Sequence, residues 1–347
     1  MDKKPIVIVF IAIVAMLLIG EVLAFAPIYN NSADVWENEN VINYSISTNT
    51  SSQYTAVLLD NNGEYDIERI LVYYDPGYMA PHTNEYLEER IALTISELEV
   101  RNCPNIAVAD AVEIQEALSS ENESGTYHTA LLMMTGVFPD TVYDATSDCL
   151  IVDWLNGGGV LYWIGDTIGT YVSVKGESTL ERQHGYGEIF FGKDDEILAT
   201  GKTDYSDIPS TDADIADSLN ILYNAITFGV NAASLDNCIS IGFTNGTYDS
   251  ITFTKFHSGE GMIVLFGGDT TTDAAPVIAQ AVCSGLNYSS SIVNCESGEI
   301  YRNTISGTMP NAAGATDMYI YLGTPMVIFA ERFGLRGYES EDSVTPK

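Results

Sequence analysis

The residues best placed to do chemistry begin with Thr167, at the centre of Gly165-Asp166-Thr167-Ile168-Gly169. A threonine hydroxyl attacks a carbonyl only beside a dedicated base, and the chain has 4 histidines. His184, in Gln183-His184-Gly185-Tyr186-Gly187-Glu188, and His257, three residues before Glu260, are the candidate bases, with Asp166 the neighbouring carboxylate. Together they make a candidate constellation for hydrolysis of an amide or ester. The competing reading leaves His184 as an exposed loop histidine and places His257 and Glu260 on the rim of a hairpin turn.

Three further residue sets carry chemistry. Asp204, Asp207, Asp212, Asp214 and Asp217 crowd one short segment and offer the hard oxygens that calcium takes. The spacing matches no EF-hand loop, and Asp212 also reads as the start of a helix. Calcium is the one cofactor the sequence admits. The 5 cysteines form no C-x-x-C pair, which argues against zinc. Cys283 with Cys295 and Cys103 with Cys149 are the candidate disulfides, and the odd count leaves one thiol over; buried free cysteines are the alternative. Asn30, Asn43, Asn49, Asn122, Asn245 and Asn287 each open an N-x-S/T triplet and are candidate glycosylation sites.

The elements that hold these residues belong to a strongly acidic chain. Across 347 residues, 48 acids against 14 bases give a formal net charge of −34. Phosphate backbones reward clustered Lys and Arg, so a nucleic-acid partner is excluded. With 46% hydrophobic residues the chain is still a folded one. Ile6 to Gly20 is uninterruptedly apolar behind Lys3-Lys4, and Ile6–Ala26 at about 1.5 Å per residue makes roughly 30 Å of helix. The positive-inside bias then predicts a single-pass protein with its N-terminus cytoplasmic and its bulk outside the membrane; secretion after signal cleavage is the alternative. The expected partners are the membrane through residues 6–26 and a surface protein, a glycan or a second copy of the chain.

Beyond a polar stretch at 28–65, read as a stalk with one edge strand, strands and helices alternate. Ile70–Tyr74, Ile106–Ala109, Thr129–Thr135 and Val160–Ile164 read as strands. Glu85–Glu99, Ala111–Leu118, Tyr143–Asn156 and Asp212–Phe228 read as helices, and Gly187–Phe191 as a short strand inside an irregular insertion at 171–210. Ile251–His257 and Met262–Phe266 flank a hairpin signal, and a helix capped near Thr272 or Asp273 ends at Gly285. The fold class is α/β: a parallel sheet with helices on both faces, closing in a β-hairpin and helix, followed by an antiparallel β appendage. The expected divisions are an anchor or signal peptide at 1–27, the stalk at 28–65, an α/β domain at 66–286, β strands at 287–340 and a frayed tail at 341–347.

The run from Leu150 to Asp166 (LIVDWLNGGGVLYWIGD), with Gly259-Glu260-Gly261-Met262-Ile263-Val264-Leu265-Phe266-Gly267, resembles the class I glutamine amidotransferase-like, flavodoxin-like fold in its non-enzymatic extracytoplasmic branch. Enzymes of that superfamily carry G-x-C-x-G on a strained strand-to-helix turn after the fourth strand. The resemblance aligns it with Gly165–Gly169, where the nucleophile position holds Thr167 in place of cysteine. It therefore implies a catalytically silent surface domain that serves in binding or assembly. The alternative function is an extracellular hydrolase or amidase using the crevice near Thr167.

Overall fold

The computed structural model describes residues 32–38, 41–49, 51–61, 65–101, 103, 105–199, 208–219, 221, 228–267, 274–310, 317–322 and 327–332. Its centre is an eight-stranded sheet. Five strands, Arg69–Tyr73 (β4), Ile106–Ala109 (β5), Thr129–Met133 (β6), Val160–Ile164 (β8) and Met262–Phe266 (β14), lie parallel in the order β14-β8-β6-β4-β5. Asp249–Lys255 (β13), Cys238–Thr244 (β12) and Ile208–Pro209 (β11) extend it antiparallel beyond β14, so the sheet is mixed rather than purely parallel.

The parallel strands read as continuous apolar runs because both their faces are covered. Ile70, Val72, Leu132, Tyr162 and Val264 point to one face, against Asn84–Val100 (α1), Ala213–Leu219 (α5) and Ala274–Cys283 (α6). Leu71, Leu131, Leu161 and Ile263 point to the other, against Ala111–Ser124 (α2), Leu150–Gly157 (α3) and Tyr186–Phe191 (α4). The helix starts follow from local chemistry. Thr83 Oγ1 accepts from Tyr86 N at 3.3 Å, and Asp110 and Glu113 form a reciprocal capping box at the head of α2. Gly125, at φ 69°, ends that helix.

Several expected elements are corrected. The polar stretch is no stalk: Ser32–Asn38 (β1), Val41–Ser47 (β2) and Ser51–Asp60 (β3) are strands. Alternation is the reason, since Ile42, Tyr44 and Ile46 are buried while the residues between them face outward. β1 and β2 form a sheet with Thr304–Pro310 (β16), and β3 lies between Ser291–Tyr301 (β15) and Asp317–Leu322 (β17), itself paired with Val327–Arg332 (β18). The two sheets enclose a separate core of Ile42, Tyr44, Leu58, Ile300, Met309 and Ile320. On its opposite face, β3 turns Val57 and Leu59 into the main core.

The expected helix Tyr143–Asn156 shrinks to α3, because Asp144 Oδ1 accepts from both Thr146 N and Thr146 Oγ1 and Ala145 sits at φ 64°, which fixes a turn there. Phe138–Pro139 (β7), ahead of it, pairs with Tyr171–Ser173 (β9), which also pairs with Glu181–Arg182 (β10). Gly187–Phe191 is not a strand but most of α4. The Asp195 carboxylate receives Gly185 N at 3.0 Å and Gly187 N at 2.8 Å, capping that helix from a distant residue. Of the expected helix Asp212–Phe228, α5 covers 213–219, and 222–227 lie outside the described residues.

The expectation of a single-pass membrane protein is withdrawn. Among the described residues no helix is long and apolar enough to cross a membrane, and Ile6–Ala26, on which that expectation rested, lies outside them, as does the tail at 341–347.

Candidate functional site

In open parallel sheets the crevice beyond the C-terminal strand ends is the usual ligand site, and Thr167 lies there, three residues past β8. The site is closed. The loops after β6 and β8 meet backbone to backbone: a Cβ on Gly165 would stand 2.9 Å from Gly136 Cα, and one on Gly136 would stand 3.0 Å from Asp166 N. Thr167 is 6% exposed, and its hydroxyl donates to Ala199 O at 3.1 Å. Asp166 O accepts from Trp163 Nε1 at 2.6 Å. After Gly169 the chain enters β9 rather than a helix, so the segment is no strand-to-helix elbow and presents no exposed nucleophile.

The structure does not bring the candidate bases to Thr167. Residues Asp166, Thr167, Thr170, Tyr171, Arg182 and Tyr186 line a small cavity of about 160 Å³, with the exposed His184 outside it. His257 is at the other end of the sheet. Ile164 pairs with Phe266 and Val160 with Met262; Thr167 follows the first pair and His257 precedes the second, so at about 3.3 Å per residue they are separated by about 13 Å or more. His257 Nε2 is also 3.0 Å from Ile189 O, a bond that ties the hairpin to α4.

The larger concavity is at that N-terminal end. The hairpin between β13 and β14, the segment entering β12 and the end of α4 surround a cleft of about 350 Å³. Tight backbone packing shapes it. A Cβ on Gly259 would fall 2.3 Å from Asn156 Cα, and one on Gly261 would fall 2.3 Å from Leu155 O, so the hairpin rests directly on α3. Phe191, Leu235 and Phe256 give the cleft its apolar wall. Lys193, Lys255, Asp236 and Glu260 line it together with Asn237 and Ser258. Lys255 Nζ is 2.9 Å from Glu260 Oε2, and this bond holds the lysine above its ordinary pKa. Nothing in the spacing of these residues along the chain announced the cleft. The hairpin signal was legible, but its contact with α4 and the β12 entry is tertiary.

The other candidates disperse. Asp204 and Asp207 lie outside the described residues. Asp212 Oδ2 accepts from Ser240 N at 2.8 Å, which commits it to the edge of β12, and Asp214 is exposed on α5. The expected disulfides are replaced by one between Cys103 and Cys283, with Cα atoms 5.8 Å apart. The helices α1 and α6 pack side by side on one face of the sheet, so their C-terminal ends meet there. Cys149 starts α3 on the opposite face, and Cys295 is exposed on β15. Among the sequons, Asn30 lies outside the described residues. Asn43 and Asn122 are half-buried, Asn245 spends its Oδ1 on Thr247 N and Tyr248 N, and Asn49 is exposed. Asn287 is removed as an acceptor: it is fully buried, its Nδ2 donates to Asn61 O and its Oδ1 receives Ser289.

No family model matches this chain, and no curated protein matches it. Solved structures that match include the exo-beta-1,4-mannosidase Op5Man5 from Opitutaceae bacterium strain TAV5 (11% identity, TM-score 0.36, 64% of this chain and 36% of that one). A beta-galactosidase from Rahnella sp. R3 (10% identity, TM-score 0.37, 74% and 36%) and one from Bacillus circulans sp. alkalophilus (10%, 0.35, 64% and 32%) also match. The chain spans about a third of the length of these structures, and at such scores the likeness establishes neither a shared fold nor a shared activity. The missing elbow overturns the resemblance to the glutamine amidotransferase-like fold, because Gly165–Gly169 leads into β9 and holds Thr167 buried.

Proposed function

We propose that this chain is a binding module that takes a neutral, hydroxyl-rich ligand, a glycan, in the cleft at the N-terminal end of β14. One observation carries the reading: the cleft's formal charges cancel, with Lys193 and Lys255 against Asp236 and Glu260. An anionic ligand would meet two carboxylates and a cationic one two ammonium groups, each at a desolvation cost. A polyol meets donors and acceptors in alternation and an apolar wall for its C–H face.

Glycoside hydrolysis is a second reading, favoured by the presence of two carboxylates, Asp236 and Glu260, on the same cleft. Against it, Glu260 is 77% exposed and salt-bridged to Lys255. That environment suits a hydrogen-bond acceptor, whereas a general acid is usually held in an apolar pocket.

Screening the full chain against immobilised neutral oligosaccharides, with titration calorimetry on each hit, tests the proposal. We expect binding that weakens at least about tenfold, or 1.4 kcal/mol, in Asn237→Ala and Lys255→Ala and is unchanged in Thr167→Val. Failure of every neutral glycan to bind, or equal binding by the cleft variants, overturns it. Turnover of aryl glycosides abolished by Asp236→Asn would move the conclusion to the second reading.

A further inference from the structure

The same end of the sheet carries a second constellation, independent of the cleft. Asp66 and Glu68 lie in the segment entering β4, and His128 immediately precedes β6. The ligand atoms they offer all lie within 4.8 Å of one another. Main-chain bonds set this juxtaposition. Glu68 N and Arg69 N both donate to His128 O, at 2.8 and 3.2 Å. His128 N donates to Glu121 Oε1 at 3.2 Å, and Asn105 Nδ2 donates to Glu68 O at 2.8 Å. The three side chains therefore rise from a fixed base of paired strand ends.

We infer that Asp66, Glu68 and His128 form a binding site for a divalent transition-metal ion of the zinc or manganese class. Ligands that share such an ion at about 2.0–2.2 Å sit roughly 3–4.4 Å apart. His128 Nδ1 stands 3.6 Å from Asp66 Oδ2 and 3.0 Å from Asp66 O, so an ion bound through Nδ1 would take the place of that hydrogen bond to the carbonyl. The imidazole decides the ion class: calcium and magnesium prefer all-oxygen shells, whereas one histidine with two carboxylates suits zinc and manganese. The nearest cationic side chain does not compete. Arg69 Nε donates to Thr129 Oγ1 at 2.6 Å, and its Nη2 is 3.7 Å from Glu121 Oε1, so its charge is already matched. His128 and Asp66 are about one-third exposed, and Glu68 is exposed. The ion would keep open positions for water, the arrangement of sites that exchange or act on a ligand rather than closed structural ones.

The competing account is a simple Asp66–His128 ion pair. Titrating the chelator-treated full chain with Zn²⁺ and Mn²⁺, under an excess of Ca²⁺ and Mg²⁺ that saturates the acidic surface, separates the two. The site predicts one ion per chain, held at least about tenfold more weakly in Glu68→Gln and in His128→Ala, and unchanged in Asp214→Asn, an exposed acid on α5. Substituted Co²⁺ adds a spectroscopic readout, because its visible bands change when the histidine nitrogen is lost. Glu68 is exposed, so its variant folds and decides the matter even where His128→Ala does not. Retention of no ion against Ca²⁺ and Mg²⁺, or wild-type affinity in Glu68→Gln, overturns the site.

Discussion

The two ends of the central sheet have been put to opposite uses. At the C-terminal end the loops after β6 and β8 press glycine against glycine, and two side chains there are spent on backbone: Thr167 on Ala199 O, Trp163 Nε1 on Asp166 O. At the N-terminal end lie the cleft beside β14 and the cluster of Asp66, Glu68 and His128 on the paired entries of β4 and β6. The helix-dipole and crevice arguments that favour the C-terminal end of open α/β sheets presuppose a gap there. Where two loops narrow that gap, only the cavity of about 160 Å³ beside Thr167 is left, and the larger polar cleft, of about 350 Å³, lies at the opposite end.

The sharpest way to break the comparison is at Glu121, the buried acid that supports the N-terminal end. Its carboxylate accepts from Trp154 Nε1 at 2.8 Å, Thr129 Oγ1 at 2.6 Å and His128 N at 3.2 Å. Glu121→Ala strands these donors and unmatches Arg69, so we expect a loss of about 3–5 kcal/mol in denaturant unfolding, together with weaker metal binding as His128 loses its anchor. Unchanged stability would mean that this end is not organised as described.

The matching change at the closed end is Gly165→Ala. At φ 119° with Gly136 Cα 2.9 Å from the new Cβ, it should cost about 2–4 kcal/mol in unfolding free energy and leave glycan and metal binding in the folded protein intact. A milder probe is Thr167→Val, which removes only the hydroxyl donated to Ala199 O. About 1 kcal/mol of stability should be lost, with no change in ligand binding. If Thr167→Val abolished binding or any hydrolysis, the functional end would be the C-terminal one after all.

The sequence disclosed what periodicity can disclose. Continuous apolar runs at Thr129–Thr135 and Val160–Ile164 marked strands buried on both faces, and Glu85–Glu99 and Ala111–Leu118 were legible as helices. It misled where local pattern and tertiary role diverge. Ile189, Phe190 and Phe191 look like strand residues, but Asp195 caps them as a helix. The Asn- and Ser-rich stretch around Asn43 looks like a stalk until Ile42, Tyr44 and Ile46 find a facing sheet. The glycines of Gly165–Gly169 looked like a catalytic turn, and they serve a backbone approach. The Asp66–Glu68–His128 group had a usable signal that spacing along the chain hides. Two acids and a histidine each stand within three residues of the start of a parallel strand, and adjacent parallel strands bring their starts together. Which two strands are adjacent is a property of topology, and no residue states it.

Cysteine chemistry gives the smallest expected effect and still reports on the architecture. Cys295 is exposed on β15, whereas burial raises the Cys149 thiol and pushes Cys238 up to about 11. At pH 8, iodoacetamide on the native chain should label Cys295 quickly, Cys149 and Cys238 slowly, and Cys103 and Cys283 only after reduction, as read by peptide mass spectrometry. The pH dependence has a definite sign. The folded Cys238 pKa lies above its unfolded value of about 8.5, so its contribution to stability is complete below about pH 8.5 and is lost as the pH rises through about 11. Cys103 and Cys283 join α1 to α6 on one face, and Cys149 starts α3 on the other. Recovery of a Cys103–Cys149 cross-link in the oxidised protein would therefore place α1 and α3 on the same face of the sheet, and the separation of the two faces would fail with it.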